Sequence, residues 1–98
     1  GGGEGTFCYS LSKHGLEFFP KKSNEWIKNN VLINTIRVGA TNTRMHKKLP
    51  GKNLKLRAKL IPMGRLAKIE EISNYIYFLA SEKNTYIANQ VLGISGGE

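Results

Sequence analysis

The 98-residue sequence is poor in the side chains that bind metals or form disulfides. It has one cysteine, Cys8, and two histidines, His14 and His46. A single cysteine cannot form an internal disulfide, which is consistent with a reducing cytoplasm. These scattered residues lack the spacing of any metal-binding motif, so the sequence predicts no metal site.

Long apolar runs are also absent. The longest, such as VLI and YIYFLA, extend over only a few residues, whereas a membrane-spanning helix needs about 20. The sequence likewise shows no charged-then-apolar leader of the secretory type. We therefore expect no membrane segment, a cytoplasmic location, and one small domain with a modest core.

Acidic residues are missing from the middle of the chain. None occurs between Glu25 and Glu70, and within this gap residues 44–68 carry nine of the 15 Lys and Arg. The net charge of the whole chain is +8. A solvated basic surface is the plainer interpretation, and contact with the phosphates of a nucleic acid, a cofactor or an acidic carrier is the alternative. The segment lacks the interleaved aromatic residues of a single-strand stacking surface, so we expect no nucleic acid partner.

The first half of the chain combines a helical pattern with a strand pattern. Apolar residues recur at helical spacing from Tyr9 to Asn29, which predicts a helix that is kinked or broken at Pro20 or restarts near Ser23. The β-branched run VLINTI, residues 31–36, is typical of a strand buried on both faces. We expect a loop, RVGATNT, to follow this strand, with its glycine giving the backbone freedom.

The second half predicts two helical segments and a strand. Residues 43–61 favour one or two short helices, interrupted by Pro50 and Gly51 and ended by Pro62. Residues 68–82 have the clearest helical periodicity, and residues 89–95 predict a final strand. The order helix, strand, short helices, helix, strand indicates an α/β fold with a parallel sheet, in which two strands need further neighbours.

A tyrosine and a lysine lie four residues apart in YSLSK, residues 9–13. On a helix these positions share a face, about one turn apart. A free tyrosine is a poor base at neutral pH, but a neighbouring cation stabilises a phenolate, so that such a phenol can give or take a proton. Tyr9 and Lys13 are therefore a candidate acid/base pair, although the spacing alone also occurs by chance.

Four segments in this order resemble the carboxyl-terminal part of the short-chain dehydrogenase/reductase family: YSLSKHG, INTIRVGATNT, IPMGRLAKIEEISNYIYFLAS and YIANQVLGISGG. The resemblance implies that residues 1–98 form the C-terminal portion of one NAD(P)-binding, Rossmann-type domain with a doubly wound parallel sheet. It also implies an oxidoreductase that uses NAD or NADP to interconvert a ketone and a secondary alcohol. The last two segments look most like the ketoacyl-carrier-protein reductases.

The resemblance also assigns roles to residues. Tyr9 would be the general acid/base, and Lys13 would bind the nicotinamide ribose. Gly39, Thr41 and Thr43 would lie in the loop that holds the nicotinamide carboxamide, with Val38 in place of the family's proline. Residues 44–59, which include His46, would form a substrate lid that contacts a small or carrier-bound carbonyl or alcohol substrate. The complete protein could form a homo-oligomer.

The family's glycine-rich cofactor turn and its catalytic serine and asparagine have no counterpart in the sequence. We therefore expect the 98 residues alone to be inactive. Two alternatives stay open: a catalytically inactive remnant that serves as a basic interaction module, and a small basic nucleic-acid-binding domain.

Overall fold

The computed structural model describes residues 5–18, 23–44 and 53–98. The chain divides into two compact units, one formed by Gly1–Thr35 with Tyr86–Val91 and the other by Ile36–Thr85 with Leu92–Glu98. The order of the elements agrees with the predicted order. The elements are α1 (Phe7–Gly15), α2 (Ser23–Lys28), β1 (Thr35–Val38), α3 (Leu54–Lys59), α4 (Ile69–Ala80) and β2 (Val91–Ile94).

The two strands pair in parallel. The Thr35 N–H donates to the Gln90 carbonyl and the Gly39 N–H donates to the Ile94 carbonyl, both at 2.9 Å. In both bonds the acceptor lies the same number of residues after the donor, as parallel pairing requires. The predicted parallel α/β arrangement is therefore confirmed.

The predicted bounds of the first strand were wrong. Strand β1 begins at Thr35 rather than at residue 31, and it continues to Val38, where a loop was expected. Just before the strand, the Asn34 side chain makes the hydrogen bonds that a backbone peptide group would make in a sheet. Its Nδ2 donates to the Ile87 carbonyl at 2.9 Å, and its Oδ1 accepts from the Gln90 N–H at 3.1 Å. The expectation of burial on both faces was also wrong, since residues of β1 are half-buried or exposed.

The first helix ends at Gly15, well before the proline. The carbonyls of Lys13, His14 and Gly15 accept from the N–H groups three residues later, at 3.2, 3.0 and 3.3 Å, so the chain leaves the helix in tight 3₁₀-type turns. Of the predicted alternatives for residues 9–29, the restart near Ser23 is therefore confirmed. Pro20 lies outside the described residues.

Helices α3 and α4 begin at defined caps. The Asn53 side chain accepts from the N–H groups of Lys55 and Leu56 at 3.0 and 3.3 Å, which starts α3. This helix confirms one short helix within residues 43–61, while Pro50 and Gly51 lie outside the described ranges. Helix α4 confirms the helix predicted over residues 68–82.

A carboxylate organises the start of α4. Glu71 accepts from the Lys68 N–H at 2.8 Å and binds the Arg65 guanidinium through both oxygens, at 2.7 and 2.8 Å. The Arg65 hydrogen bond, followed by that from the Lys68 N–H, lowers the pKa of Glu71 to about 2. The carboxylate thus accepts from the N–H of the N-cap residue and ties the preceding turn to the helix.

The second unit has a small core beneath the end of the chain. Ile61 and Leu79 are its buried apolar residues among those described. A Cβ added to Gly96 would lie 2.9 Å from Ile61 Cγ2, and the Met63 N–H donates to the Gly96 carbonyl at 3.1 Å. The ISGG end of the sequence therefore packs on the IPMG turn, because only a glycine allows this approach.

Helix α1 is much less covered than this core. It has no buried residue, and Phe7, Tyr9 and Leu11 are each more than half exposed.

Within the described ranges, none of the helices combines the length and apolar character needed to cross a membrane.

Candidate active site

Helix α1 brings together the predicted pair, Tyr9 and Lys13. The Lys13 Nζ lies over the Tyr9 ring, 5.6 Å from its centroid, which is within the range of a cation–π contact. Tyr9 is 64% exposed and Lys13 is exposed. The arrangement therefore places an ammonium beside a phenol on an exposed face of α1.

One hydroxyl between the two residues of this pair is used by the helix itself. Ser12 Oγ donates to the Tyr9 carbonyl at 2.7 Å, so the hydroxyl is bound to the backbone of α1. Beyond the pair, His14 Nδ1 lies 3.7 Å from the Glu17 carboxylate. Ser12 and His14 thus have contacts within or just after their own helix.

Gly39 is required for a reason that the sequence did not reveal. A Cβ added there would lie 2.6 Å from Ser95 Cα and 2.9 Å from Ser95 Cβ, distances that side chains do not tolerate. Its φ is not in the left-handed region, so the expected need for backbone freedom was wrong. The absent side chain instead allows the end of β1 to pass close to the residue that follows β2.

The loop after β1 is held by segment 65–68. Thr41 is 8% exposed, and its Oγ1 donates to the Gly39 carbonyl at 3.0 Å. The Asn42 N–H donates to the Ala67 carbonyl at 2.9 Å, and the Ala67 N–H donates to the Ala40 carbonyl at 3.0 Å. The Thr41 hydroxyl proton is therefore directed into the loop itself.

The remaining predicted residues have different placements. Thr43 is half-buried at the end of the same loop, and His46 lies outside the described residues. Tyr9 and Lys13 belong to the first unit, whereas Gly39, Thr41 and Thr43 belong to the second. Among the described residues, no group of three or more His, Cys, Asp and Glu side chains could hold a metal ion.

Sequence reasoning missed the residues that hold these elements in place. Ala67 and Ser95 fix the loop through backbone contacts, which leave no signature in side-chain type. Thr35 contacts the end of α1 through its hydroxyl. A threonine in a strand is common, so only the fold reveals this contact.

A family model described as enoyl-(acyl carrier protein) reductase matches residues 2–98. The 3-oxoacyl-[acyl-carrier-protein] reductase FabG of Thermotoga maritima is 37% identical over 97 residues, covering 98% of this chain and 39% of that protein. The protein of the same name from Chlamydia trachomatis is 39% identical over 98 residues, with the same coverage of each chain. The chain belongs to the short-chain dehydrogenase/reductase family.

Solved structures of this family confirm the predicted Rossmann-type fold class. A short-chain dehydrogenase family protein from Francisella tularensis superimposes with a TM-score of 0.86 and 25% identity, covering 98% of this chain and 45% of that one. The Pseudomonas aeruginosa RhlG/NADP active-site complex gives a TM-score of 0.80 and 28% identity, with coverage of 97% and 40%. The chain thus spans about two fifths of the length of its curated relatives.

Proposed function

We propose that this chain is part of an NAD(P)-dependent oxidoreductase that interconverts a ketone and a secondary alcohol. The observation that carries the proposal is the Lys13 ammonium over the Tyr9 ring on an exposed face of α1. Membership of the short-chain dehydrogenase/reductase family gives this pair a chemical context. Activity, a homo-oligomeric state and a cytoplasmic location are all properties of the whole protein and form part of the proposal.

The chemistry assigned to this chain is proton transfer and orientation. The Tyr9 hydroxyl donates its proton to the oxygen of the ketone, and in the reverse direction its phenolate takes the proton from the alcohol. The Lys13 ammonium binds the ribose hydroxyls and provides a positive charge beside the phenol. Bound NADH or NADPH would supply the hydride.

Each of the two units offers hydrogen-bond donors of the kind that a nicotinamide nucleotide needs. Lys13 and Tyr9 offer exposed hydrogen-bond donors suited to ribose hydroxyls. In the loop after β1, Gly39, Thr41 and Thr43 are the proposed contacts of the nicotinamide carboxamide, and the Thr41 hydroxyl proton is donated to the Gly39 carbonyl. The sequence lacks the G-x-G-x-x-G spacing of a pyrophosphate-binding turn, so we propose that residues outside this chain bind the pyrophosphate and the adenosine.

A carrier-bound 3-oxoacyl thioester is the proposed substrate class. Relatives named as 3-oxoacyl-[acyl-carrier-protein] reductases support it. Exposed Arg44, Lys55 and Lys59 would favour an acidic carrier, whereas Arg57 is paired with the Glu98 carboxylate. The proposed partner of the basic segment, residues 44–68, is therefore an acidic carrier protein and not a nucleic acid.

The test is turnover by the full-length protein with NADPH and with NADH, followed by the loss of reduced-nicotinamide absorbance. A 3-oxoacyl group on acyl carrier protein should be reduced faster than the same acyl group on a short thiol, and added salt should reduce this advantage. Equal rates with the two substrates would contradict recognition of the carrier, whereas ketone reduction would still be supported. Failure to bind either nicotinamide would favour the inactive interaction module instead.

A further inference from the structure

Thr35 connects the helix that carries Tyr9 and Lys13 to the sheet. Its Oγ1 donates to the Leu16 carbonyl at 3.0 Å. Leu16 is the C-cap residue of α1. The carbonyls of the three preceding residues accept from the N–H groups of Leu16, Glu17 and Phe18. The Leu16 carbonyl is therefore the next carbonyl at the helix end to accept a hydrogen bond, and its donor is the Thr35 hydroxyl of β1.

The Thr35 side chain is held in a fixed position. Its backbone N–H donates to the Gln90 carbonyl at 2.9 Å, and the adjacent Asn34 side chain binds Ile87 and Gln90. A β-branched side chain on a strand has few rotamers, so the hydroxyl direction follows from the backbone. Thr35 is thus a rigid donor rather than a mobile one.

The residues around the Thr35–Leu16 hydrogen bond indicate that α1 contacts β1 at its C-terminal end. Glu17, directly after Leu16, lines a small polar cleft together with Thr35 and Gln90. Within the described chain, α1 has no buried residue. The hydrogen bond from Thr35 at its last turn is therefore a specific, directional contact between α1 and β1.

We propose that Thr35 is a positioning residue for the Tyr9–Lys13 pair. Its hydroxyl fixes the C-terminal end of α1 on β1 and thereby the direction in which the phenol and the ammonium are presented. The inference rests on the proposed oxidoreductase function, since it assigns Thr35 a part in the same reaction. Proton transfer requires close alignment of the reacting atoms, so a small rotation of α1 lowers turnover.

The experiment compares Thr35→Val, which keeps the shape and removes the hydroxyl, with Thr35→Ser, which keeps the hydroxyl. Exposed Thr85→Val is a control for the same chemical change elsewhere. In the full-length protein, kcat per titrated active site should fall by about tenfold or more in Thr35→Val, because a small displacement of the catalytic groups slows the reaction. The KM for the carbonyl substrate should be unchanged, and Thr35→Ser and Thr85→Val should retain the original kcat.

A second readout separates this inference from the proposed function. Hydrogen exchange at the amides of Leu11 to Gly15 should become faster in Thr35→Val and stay unchanged in Thr35→Ser. Wild-type kcat in Thr35→Val would overturn the positioning role while leaving the oxidoreductase function intact. An absence of turnover in the wild type would instead defeat the proposed function, and unchanged exchange would show that Thr35 does not hold α1.

Discussion

Gly39 and Ser95 approach so closely that no side chain fits between them. A Cβ on Gly39 would lie 2.6 Å from Ser95 Cα and 3.3 Å from the Ile94 carbonyl oxygen. The loop that is expected to contact the cofactor thus begins at a packing constraint between the ends of the two strands. The need for glycine here has a structural cause, whatever the loop binds.

Gly39→Ala should destabilise the protein by about 2 kcal/mol, the usual cost of overpacking a close contact. Gly93→Ala is the matched control, because a Cβ at Gly93 would meet no atom within 4 Å and its φ is not in the left-handed region. Urea unfolding of the full-length protein measures both changes. Equal stability of the two variants would contradict the close packing at Ser95.

The Glu71 carboxylate should make the stability of the folded protein fall as the pH is lowered in the acid range. Its pKa is lowered from 4.5 to about 2 by Arg65 and the Lys68 N–H. A lowered pKa in the folded protein means that the stabilisation is complete above about pH 4.5 and is lost as the pH falls towards 2. Thermal unfolding between pH 6 and 2 should therefore show a smaller loss of Tm in Glu71→Gln than in the wild type.

The control for this prediction is Glu70→Gln, which changes the neighbouring exposed carboxylate in the same first turn. It should retain the acid-dependent loss of Tm that the wild type shows. If Glu71→Gln and Glu70→Gln have the same pH profile, the Arg65–Glu71 pair does not stabilise the start of α4.

Asn34 should be needed for pairing of the strands. Asn34→Ala removes the donor to Ile87 and the acceptor for Gln90, leaving two backbone groups without their partner. The expected destabilisation is about 2 kcal/mol, measured by urea unfolding. Asn24→Ala, on an exposed position of α2, should change stability by less than about 0.5 kcal/mol, as surface substitutions usually do. A similar effect of both substitutions would argue against the bridging role of Asn34.

The features that the sequence predicted well depend on local geometry. Tyr9 and Lys13 could be paired in advance because residues four apart on a helix are neighbours whatever the rest of the fold does. Helix α4 was equally accessible, because apolar periodicity and acidic residues in the first turn act within one segment. Both features appear in the structure at the expected positions.

The features that the sequence predicted poorly depend on contacts between residues far apart along the chain. Strand β1 begins at Thr35 because the Asn34 side chain binds Ile87, 53 residues later. Gly39 is constrained by Ser95, and α1 ends through turns at Leu16 rather than at Pro20. No pattern within a short window encodes such contacts, so the sequence indicated the elements but not their bounds.

The central claim is that Tyr9 transfers a proton in an oxidation–reduction reaction. The most direct test is kcat for ketone reduction by full-length Tyr9→Phe, measured beside Tyr86→Phe, which removes the hydroxyl of a tyrosine that is 96% exposed. We predict that Tyr9→Phe loses at least about 100-fold in kcat, as expected for removing a general acid, while nicotinamide binding persists and Tyr86→Phe keeps full activity. Turnover by Tyr9→Phe at the wild-type rate would contradict the claim.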